Sequence, residues 1–263
     1  MSSQALAGKR VLVTRALHQA GKLSDGLRRL GAEPVEVPVL EIRPPESFEA
    51  LDRALLNLGE FDWLILTSAN TVRALAERAS ALGIELVQPA SLKVAAVGEA
   101  TAEAARKSGF RVTFVPVTNV AESLVAGLAG SVAGQRILLV RAEVARDVIP
   151  DVLREAGAEV HVADAYRNVM PQGAPEQLRV ALAQGIDAAV FTSSSSVTHL
   201  AEAARQAGIP WPFAGVAAVS IGPITSGTLR ELGWAPAVEA NRSDVSGLLE
   251  AFVSSFQSRD KGL

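Results

Sequence analysis

The chain predicts an α/β protein built from two flavodoxin-like units that arose by internal duplication. Three observations predict it. Short β-branched runs alternate with Ala/Leu/Arg-rich stretches of helical period, as in a parallel sheet with crossover helices. Glycines follow the helical stretches where a left-handed stop is needed. The same order of motifs also occurs twice at a nearly constant offset.

Arg10-Val-Leu-Val-Thr-Arg15 reappears as Arg136-Ile-Leu-Leu-Val-Arg141, and Leu30-Gly-Ala-Glu33 as Ala156-Gly-Ala-Glu159, both offset by 126. Phe61-Asp-Trp-Leu-Ile-Leu-Thr-Ser68 reappears as Ile186-Asp-Ala-Ala-Val-Phe-Thr-Ser193, offset by 125. Val97-Gly-Glu-Ala-Thr101 reappears as Ile221-Gly-Pro-Ile-Thr225, offset by 124.

The elements follow in order. First-copy strands are expected at Arg10–Thr14, Pro34–Val39, Trp63–Thr67, Val94–Val97 and Val112–Val115. Their counterparts are Arg136–Val140, Glu159–Ala163, Ala188–Thr192, Val216–Ile221 and Ala237–Glu239. Helices are expected at Ala20–Leu30, Asn70–Leu82, Ala100–Ser108 and Val120–Ala129, then Asp147–Ala156, Ser195–Ala207, Ile224–Leu232 and Ser246–Phe256. Gly31, Gly83, Gly109, Gly157, Gly208 and Gly233 mark helix ends, and Ser258–Leu263 reads as a frayed tail.

Composition narrows the function classes. At 263 residues, 49% hydrophobic and 20% charged, the chain can fill two cores and is not disordered. No apolar run approaches the roughly 18–20 residues that span a bilayer, and the first residues lack a secretory signal pattern. With no Cys, disulfides, thiolate metal sites and a Cys nucleophile are excluded. That is compatible with the cytoplasm. A net charge of −3, well mixed along the chain, and a single Tyr argue against nucleic acid. The Arg28-Arg29 pair reads as a solvated helix face.

How the two copies pair is open at this level. Two consecutive domains could meet near Gly130–Gln135. Alternatively, the chain changes domain at Leu40-Glu-Ile-Arg-Pro-Pro-Glu46 and again at Arg167-Asn-Val-Met-Pro-Gln-Gly173, so that the copies exchange their first βαβ pieces.

Four turns carry the chemistry. Thr67-Ser68-Ala69-Asn70 and Thr192-Ser193-Ser194-Ser195-Ser196 each close an apolar strand and open a helix. Parallel sheets bind ligands beyond these strand ends. A hydroxyl there caps the helix, and first-turn N–H groups can hold an anion. Gly98-Glu-Ala-Thr101 and Gly222-Pro-Ile-Thr-Ser226 form the second pair, with glycine permitting close backbone approach. Capping alone is the plain alternative for each turn. Together they suit a ligand with several carboxylates or phosphates, with Arg15 and Arg141 at the ends of the two first strands as further cationic contacts. His18, His161 and His199 show no metal spacing and read as structural or exposed. Serines without a nearby His base make no triad. Asp62 and Asp187 match, but they precede their strands and read as turn residues at the opposite end. Tyr166, the single tyrosine, stands where the chain leaves the second copy's core and would be a protonated donor at neutral pH.

In their order and spacing these residues resemble the uroporphyrinogen-III synthase family. The carriers are Val11-Leu-Val-Thr-Arg15, Leu30-Gly-Ala-Glu33, Pro38-Val-Leu-Glu-Ile42, Leu66-Thr-Ser-Ala-Asn70 with Val72, Val97-Gly-Glu-Ala-Thr101, Phe191-Thr-Ser-Ser194 with Val197, and Ile221-Gly-Pro-Ile-Thr225, over about residues 9–252. Tyr166 falls at the family's tyrosine position; Ala16 departs from its usual Pro. The resemblance implies the exchanged topology: residues 1–38 with 172–263 as one domain, 43–166 as the other, and 39–42 and 167–171 as two connecting strands.

It also implies the reaction, in which hydroxymethylbilane loses water and closes through a spirocyclic pyrrolenine with its last pyrrole inverted, giving uroporphyrinogen III for haem, sirohaem and cobalamin synthesis. No cofactor and no metal are implied. Tyr166 would protonate the departing hydroxyl. Ser68, Thr101, Ser193, Ser194, Thr225 and Ser226 would hold substrate carboxylates, with Arg15 and Arg141 beside them. The partners expected are this small-molecule substrate and, transiently, the preceding pathway enzyme; nucleic acid and membrane are not expected, and a monomer is. Two rivals are weighed: a non-catalytic two-domain binder of a small anion, and a regulatory protein that kept this fold without the activity.

Overall fold

The computed structural model describes residues 4–15 and 17–260, with the side chains of 17–19 and 256–260 outside the description. Ala16, the His18 side chain and residues 261–263 of the expected tail therefore lie outside the described residues.

The chain runs β1 (Arg10–Val13), α1 (Leu17–Arg29), β2 (Glu33–Glu36), β3 (Glu41–Arg43), α2 (Glu49–Leu56), β4 (Trp63–Leu66), α3 (Ala69–Ala81), β5 (Lys93–Ala96), α4 (Glu99–Lys107), β6 (Val112–Phe114) and α5 (Ala121–Leu128). It continues with β7 (Arg136–Ala142), α6 (Val148–Glu155), β8 (Glu159–Val169), α7 (Ala174–Ala183), β9 (Ala188–Phe191), α8 (Ser194–Ala207), β10 (Ala217–Ser220), α9 (Pro223–Glu231), β11 (Val238–Glu239) and α10 (Val245–Asp260). Every strand and helix read from the periodicity is present, within a few residues at most ends. The six glycines expected at helix ends all take positive φ, between 68° and 90°.

The residues divide into two compact units, Met1–Ile42 with Val169–Leu263, and Arg43–Asn168. Gly130–Gln135 lies inside the second unit. One sheet has the order β11-β10-β9-β1-β2, the other β3-β8-β7-β4-β5-β6. In repeat terms both follow the flavodoxin order 2-1-3-4-5, with strands 1 and 2 from one copy and 3 to 5 from the other. The pairs β1·β9 and β4·β7, which join the copies, are parallel and in register.

Two aspartates fasten these mixed sheets. Asp187, before β9, accepts the Arg10 amide at 2.8 Å, and Asp62, before β4, accepts the Arg136 amide at 2.8 Å. Each therefore holds the first strand of the other copy, at the strand end opposite the Thr-Ser turns. Lys9 Nζ, 3.1 Å from Asp187, adds to the backbone hydrogen bond; together they hold that carboxyl below its ordinary value against the opposing effect of burial.

The first unit's core follows from period-2 alternation. Val11, Val13, Ala188 and Val190 pack on one face with Leu23, Leu27, Leu248 and Phe252. Leu12, Ala189 and Phe191 pack on the other with Leu178, Val197, Leu200 and Trp234. In the second unit Ile65, Ile137 and Leu139 meet Leu124, Leu128, Ile149 and Leu153. Because β4 and β9 are buried along their whole length, each reads as an apolar run.

Five elements depart from the sequence reading. Helices α2 and α7 are not among the expected helices, although Leu51, Ala54 and Leu55 and then Ala174, Leu178 and Ala181 carry helical spacing onto buried faces. Residues 41–43 form an edge strand beside β8, and β8 runs on to Val169, so Tyr166 sits within a strand. Helix α10 continues to Asp260, which places Ser258–Asp260 in the helix.

Candidate active site

In the second unit the carboxyl ends of β4, β5, β7 and β8 carry Ser68, Thr101, Arg141 and Tyr166. Ser68 has extended backbone, φ −156° and ψ 163°, and its Oγ accepts the Thr71 amide at 3.1 Å, so it is the N-cap of α3. The same Oγ is 2.9 Å from Thr71 Oγ1 and 3.1 Å from the Tyr166 phenol oxygen. Thr71 Oγ1 lies 3.2 Å from Thr67 Oγ1, whose hydroxyl donates to the Val140 carbonyl at 3.4 Å. Thr71 is fully buried and Tyr166 is 6% exposed. The tyrosine and the Thr-Ser turn, distant in sequence, thus form one hydroxyl cluster where β4 meets β7. That junction of the two copies is the switch point where such sheets bind ligands.

Arg141 departs from expectation in two ways. It lies inside β7, and its charge is already engaged: Nη1 donates to Asp147 at 2.7 Å and Nε faces Asp164 at 3.7 Å. Burial pushes the Asp164 carboxyl above its ordinary value, opposed by the neighbouring Arg141 charge. Arg141 Nε and Asp164 Oδ1 are both buried without a hydrogen-bond partner, so this pair is close in charge but not joined.

Helix α4 begins at Gly98 with no side-chain cap. A Cβ on Gly98 would come within 3.0–3.2 Å of the Asn119 side chain, which would have to shift to admit it. Thr101 is 6% exposed, in the first turn.

The first unit repeats this construction around Arg15, Ser193, Ser194, Thr225 and Ser226. Ser193 is the N-cap of α8, accepting the Ser196 amide at 3.2 Å. Ser194 accepts from Thr228 Oγ1 of α9 at 2.8 Å, which ties the start of α8 to the middle of α9. Helix α9 starts at Gly222, again without a side-chain cap, and a Cβ there would lie 2.6 Å from Ser243 Oγ. Thr225 is 4% exposed and Ser226 fully buried, with Ser226 Oγ lacking a partner. Ser193 and Ser194, by contrast, are partly exposed. Thr14 is buried with its hydroxyl on the Val190 carbonyl, and burial holds the half-buried Arg15 guanidinium below the ordinary arginine value.

Of the histidines with described side chains, His161 packs edge-on against Phe61 beside Glu159, and His199 is partly buried with its pKa lowered by burial. Among the described residues no group of three or more His, Asp or Glu could hold a metal ion.

Three contributors were not found from sequence: Thr71, which links Ser68 to Thr67, and Asn119 and Ser243, which lean on the two glycines. The offset could have disclosed them, since Thr71 matches Ser196 at 125 and Asn119 matches Ser243 at 124.

Known proteins resemble this chain in sequence and fold. Residues 21–250 match the family described as uroporphyrinogen-III synthase HemD. The chain is 38% identical over 256 residues to the uroporphyrinogen-III synthase of Synechococcus elongatus, covering 95% of this chain and 97% of that one. It is 32% identical to a putative uroporphyrinogen-III synthase of Methanothermobacter thermautotrophicus, covering 92% and 97% of the two chains. Among solved structures, a mutant uroporphyrinogen III synthase from Thermus thermophilus superposes with a TM-score of 0.69 at 24% identity, covering 95% and 100%. The Helicobacter pylori uroporphyrinogen-III synthetase gives 0.59 at 19%, covering 94% and 99%. The chain belongs to the uroporphyrinogen-III synthase family.

Proposed function

We propose that this protein is a uroporphyrinogen-III synthase, a lyase that removes water from hydroxymethylbilane and closes the macrocycle with its last pyrrole inverted. The observation that carries the reading beyond family membership is the Tyr166–Ser68 contact at the carboxyl end of the second sheet. A phenol held there by a hydroxyl can protonate a departing hydroxyl, while the pyrrole nitrogen supplies the electron pair that breaks the C–O bond. The phenolate regains its proton when the closing ring loses one, so the net loss is one water.

The rest of the work is positioning. The substrate has eight carboxylates, and each helix start offers roughly 0.3–1 kcal/mol to an anion at an exposed site. Ser68, Ser193 and Ser194 serve as side-chain donors. Thr101, Thr225 and Ser226 shape the first turns whose amides face the ligand. Arg15 adds positive charge, and Arg141 contributes through its carboxylate pairs.

In this reading the domains are 1–38 with 172–263, and 43–166, with 39–42 and 167–171 as connections. The enzyme works without cofactor as a cytoplasmic monomer in tetrapyrrole synthesis, and meets the enzyme that supplies the bilane only transiently. No described helix is long and apolar enough to cross a membrane.

Replacing Tyr166 with Phe tests the assignment. Turnover is expected to fall roughly 100-fold or more, within the range of general acid catalysis, with substrate affinity little changed. Near-normal turnover would remove Tyr166 as the acid.

A further inference from the structure

The cluster behind Tyr166 has a direction that follows from counting protons. Each hydroxyl donates once. The Val140 carbonyl only accepts, so the Thr67 proton points to it. Thr71 must then donate to Thr67, Ser68 to Thr71, and the phenol to Ser68. The Thr71 amide also occupies one Ser68 lone pair, which leaves Ser68 able to accept from the phenol.

The first unit supplies an internal control. Its matching residues are Thr192, Ser193 and Ser196, yet Ser196 Oγ donates to the Ser193 carbonyl at 2.6 Å rather than to the Ser193 hydroxyl. No tyrosine stands there. The linked hydroxyls occur where there is a phenol to orient.

We propose that Thr67 and Thr71 are positioning residues that, through Ser68, set the direction of the Tyr166 proton, and that the chain of hydroxyls reverses when this proton leaves. The proposal rests on the reading of Tyr166 as the acid. When the phenol turns its proton from Ser68 to the departing substrate hydroxyl and transfers it, water forms and the phenol oxygen becomes anionic. Ser68 then turns its proton to that oxygen, Thr71 to Ser68, and Thr67 to Thr71. No proton travels along the chain; three hydroxyls rotate. The one bond given up is to the Val140 carbonyl, the longest of the series at 3.4 Å. Reversal exchanges the other bonds one for one, so it adds little barrier. What the chain adds is polarisation of Ser68 toward the phenolate, since linked hydrogen bonds strengthen one another.

The chain has one tyrosine, so ring-labelled tyrosine gives one phenol C–O stretch in the infrared. That band distinguishes a phenol that donates from one that accepts. The protein is expected to show a donor. Thr71→Val removes the acceptor behind Ser68 and is expected to turn the phenol into an acceptor, whereas Thr71→Ser keeps the donor band. Thr67→Val, at a less buried position, is expected to act as Thr71→Val does and serves if the latter does not fold. Turnover should drop roughly threefold to tenfold in either valine variant at unchanged KM, recover in Thr71→Ser, and show no further drop in a Tyr166→Phe background.

An acceptor band in the unaltered protein, or a band indifferent to both valine substitutions, would overturn the chain even if Tyr166→Phe is inactive. A donor band with normal turnover of Tyr166→Phe would sink the acid reading and the catalytic use of the chain with it. An equal drop from Thr71→Val in the Tyr166→Phe background would show that Thr71 acts on folding and not through the phenol.

Discussion

Replacing Ser68 or Ser193 with alanine perturbs matched N-caps with unequal surroundings. Each accepts one first-turn amide, from Thr71 at 3.1 Å and from Ser196 at 3.2 Å. Losing such a cap costs about 1 kcal/mol, and this part is common to both variants. Ser68 also bonds Thr71 Oγ1 at 2.9 Å and the largely buried phenol at 3.1 Å. Ser193 Oγ has no such pair, because Ser196 sends its proton to the backbone. Two further hydrogen bonds at about 0.5–1.5 kcal/mol each place Ser68→Ala about 1–3 kcal/mol below Ser193→Ala. Urea unfolding followed by far-ultraviolet circular dichroism, with tryptophan fluorescence as a second probe, measures the gap. Trp63 reports the second unit, and Trp211 and Trp234 the first. Equal losses would mean that the bonds around the phenol contribute nothing net, and the hydroxyl cluster would lose its structural basis.

Other outcomes follow from local geometry. Gly227 lies within α9 with nothing near a would-be Cβ, so Gly227→Ala is expected to stabilise by about 0.5–1 kcal/mol in thermal unfolding. Gly247→Ala in α10 should do the opposite, by about 1–3 kcal/mol, because its Cβ would lie 2.6 Å from the Arg242 carbonyl oxygen. Arg78 donates to both Asp52 oxygens, at 2.6 and 2.5 Å, and holds that carboxyl below its ordinary value. A depressed carboxyl stabilises above its unfolded pKa of about 4 and loses this contribution as pH falls through the folded value. Melting temperature against pH should therefore drop less steeply on the acid side in Arg78→Met; an unchanged acid limb would contradict it.

Much of this fold is legible because its determinants are local. Apolar runs such as Trp63-Leu-Ile-Leu66, a serine after each, and glycines with positive φ after the helices need only neighbours in sequence. The repeat then pairs the elements. What escaped depends on distant partners. Residues 41–43 become a strand only because β8 lies alongside, and β8 lengthens for the same reason. Helices α2 and α7 carry plain apolar spacing, but each follows a proline-containing connection and has no matched motif of its own.

For the candidate site the turns were readable and their state was not. Hydroxyls at strand–helix junctions announce Ser68 and Ser193. Nothing near Arg141 discloses that Asp147 and Asp164 already share its charge. Ser226 looks like a donor in sequence, yet its hydroxyl faces the interior because its place on α9 turns it to the core. The Ser68–Tyr166 contact spans 98 residues and depends on the exchange of strands between copies, which puts β4 beside β7.

The most direct measurement is the isomer composition of the product. Purified protein is mixed with freshly prepared hydroxymethylbilane, the products are oxidised, and the porphyrin isomers are separated. The account requires predominantly type III porphyrin, formed at an initial rate proportional to protein. Type I alone, at the rate seen without protein, would contradict it and leave a family member that binds without catalysing.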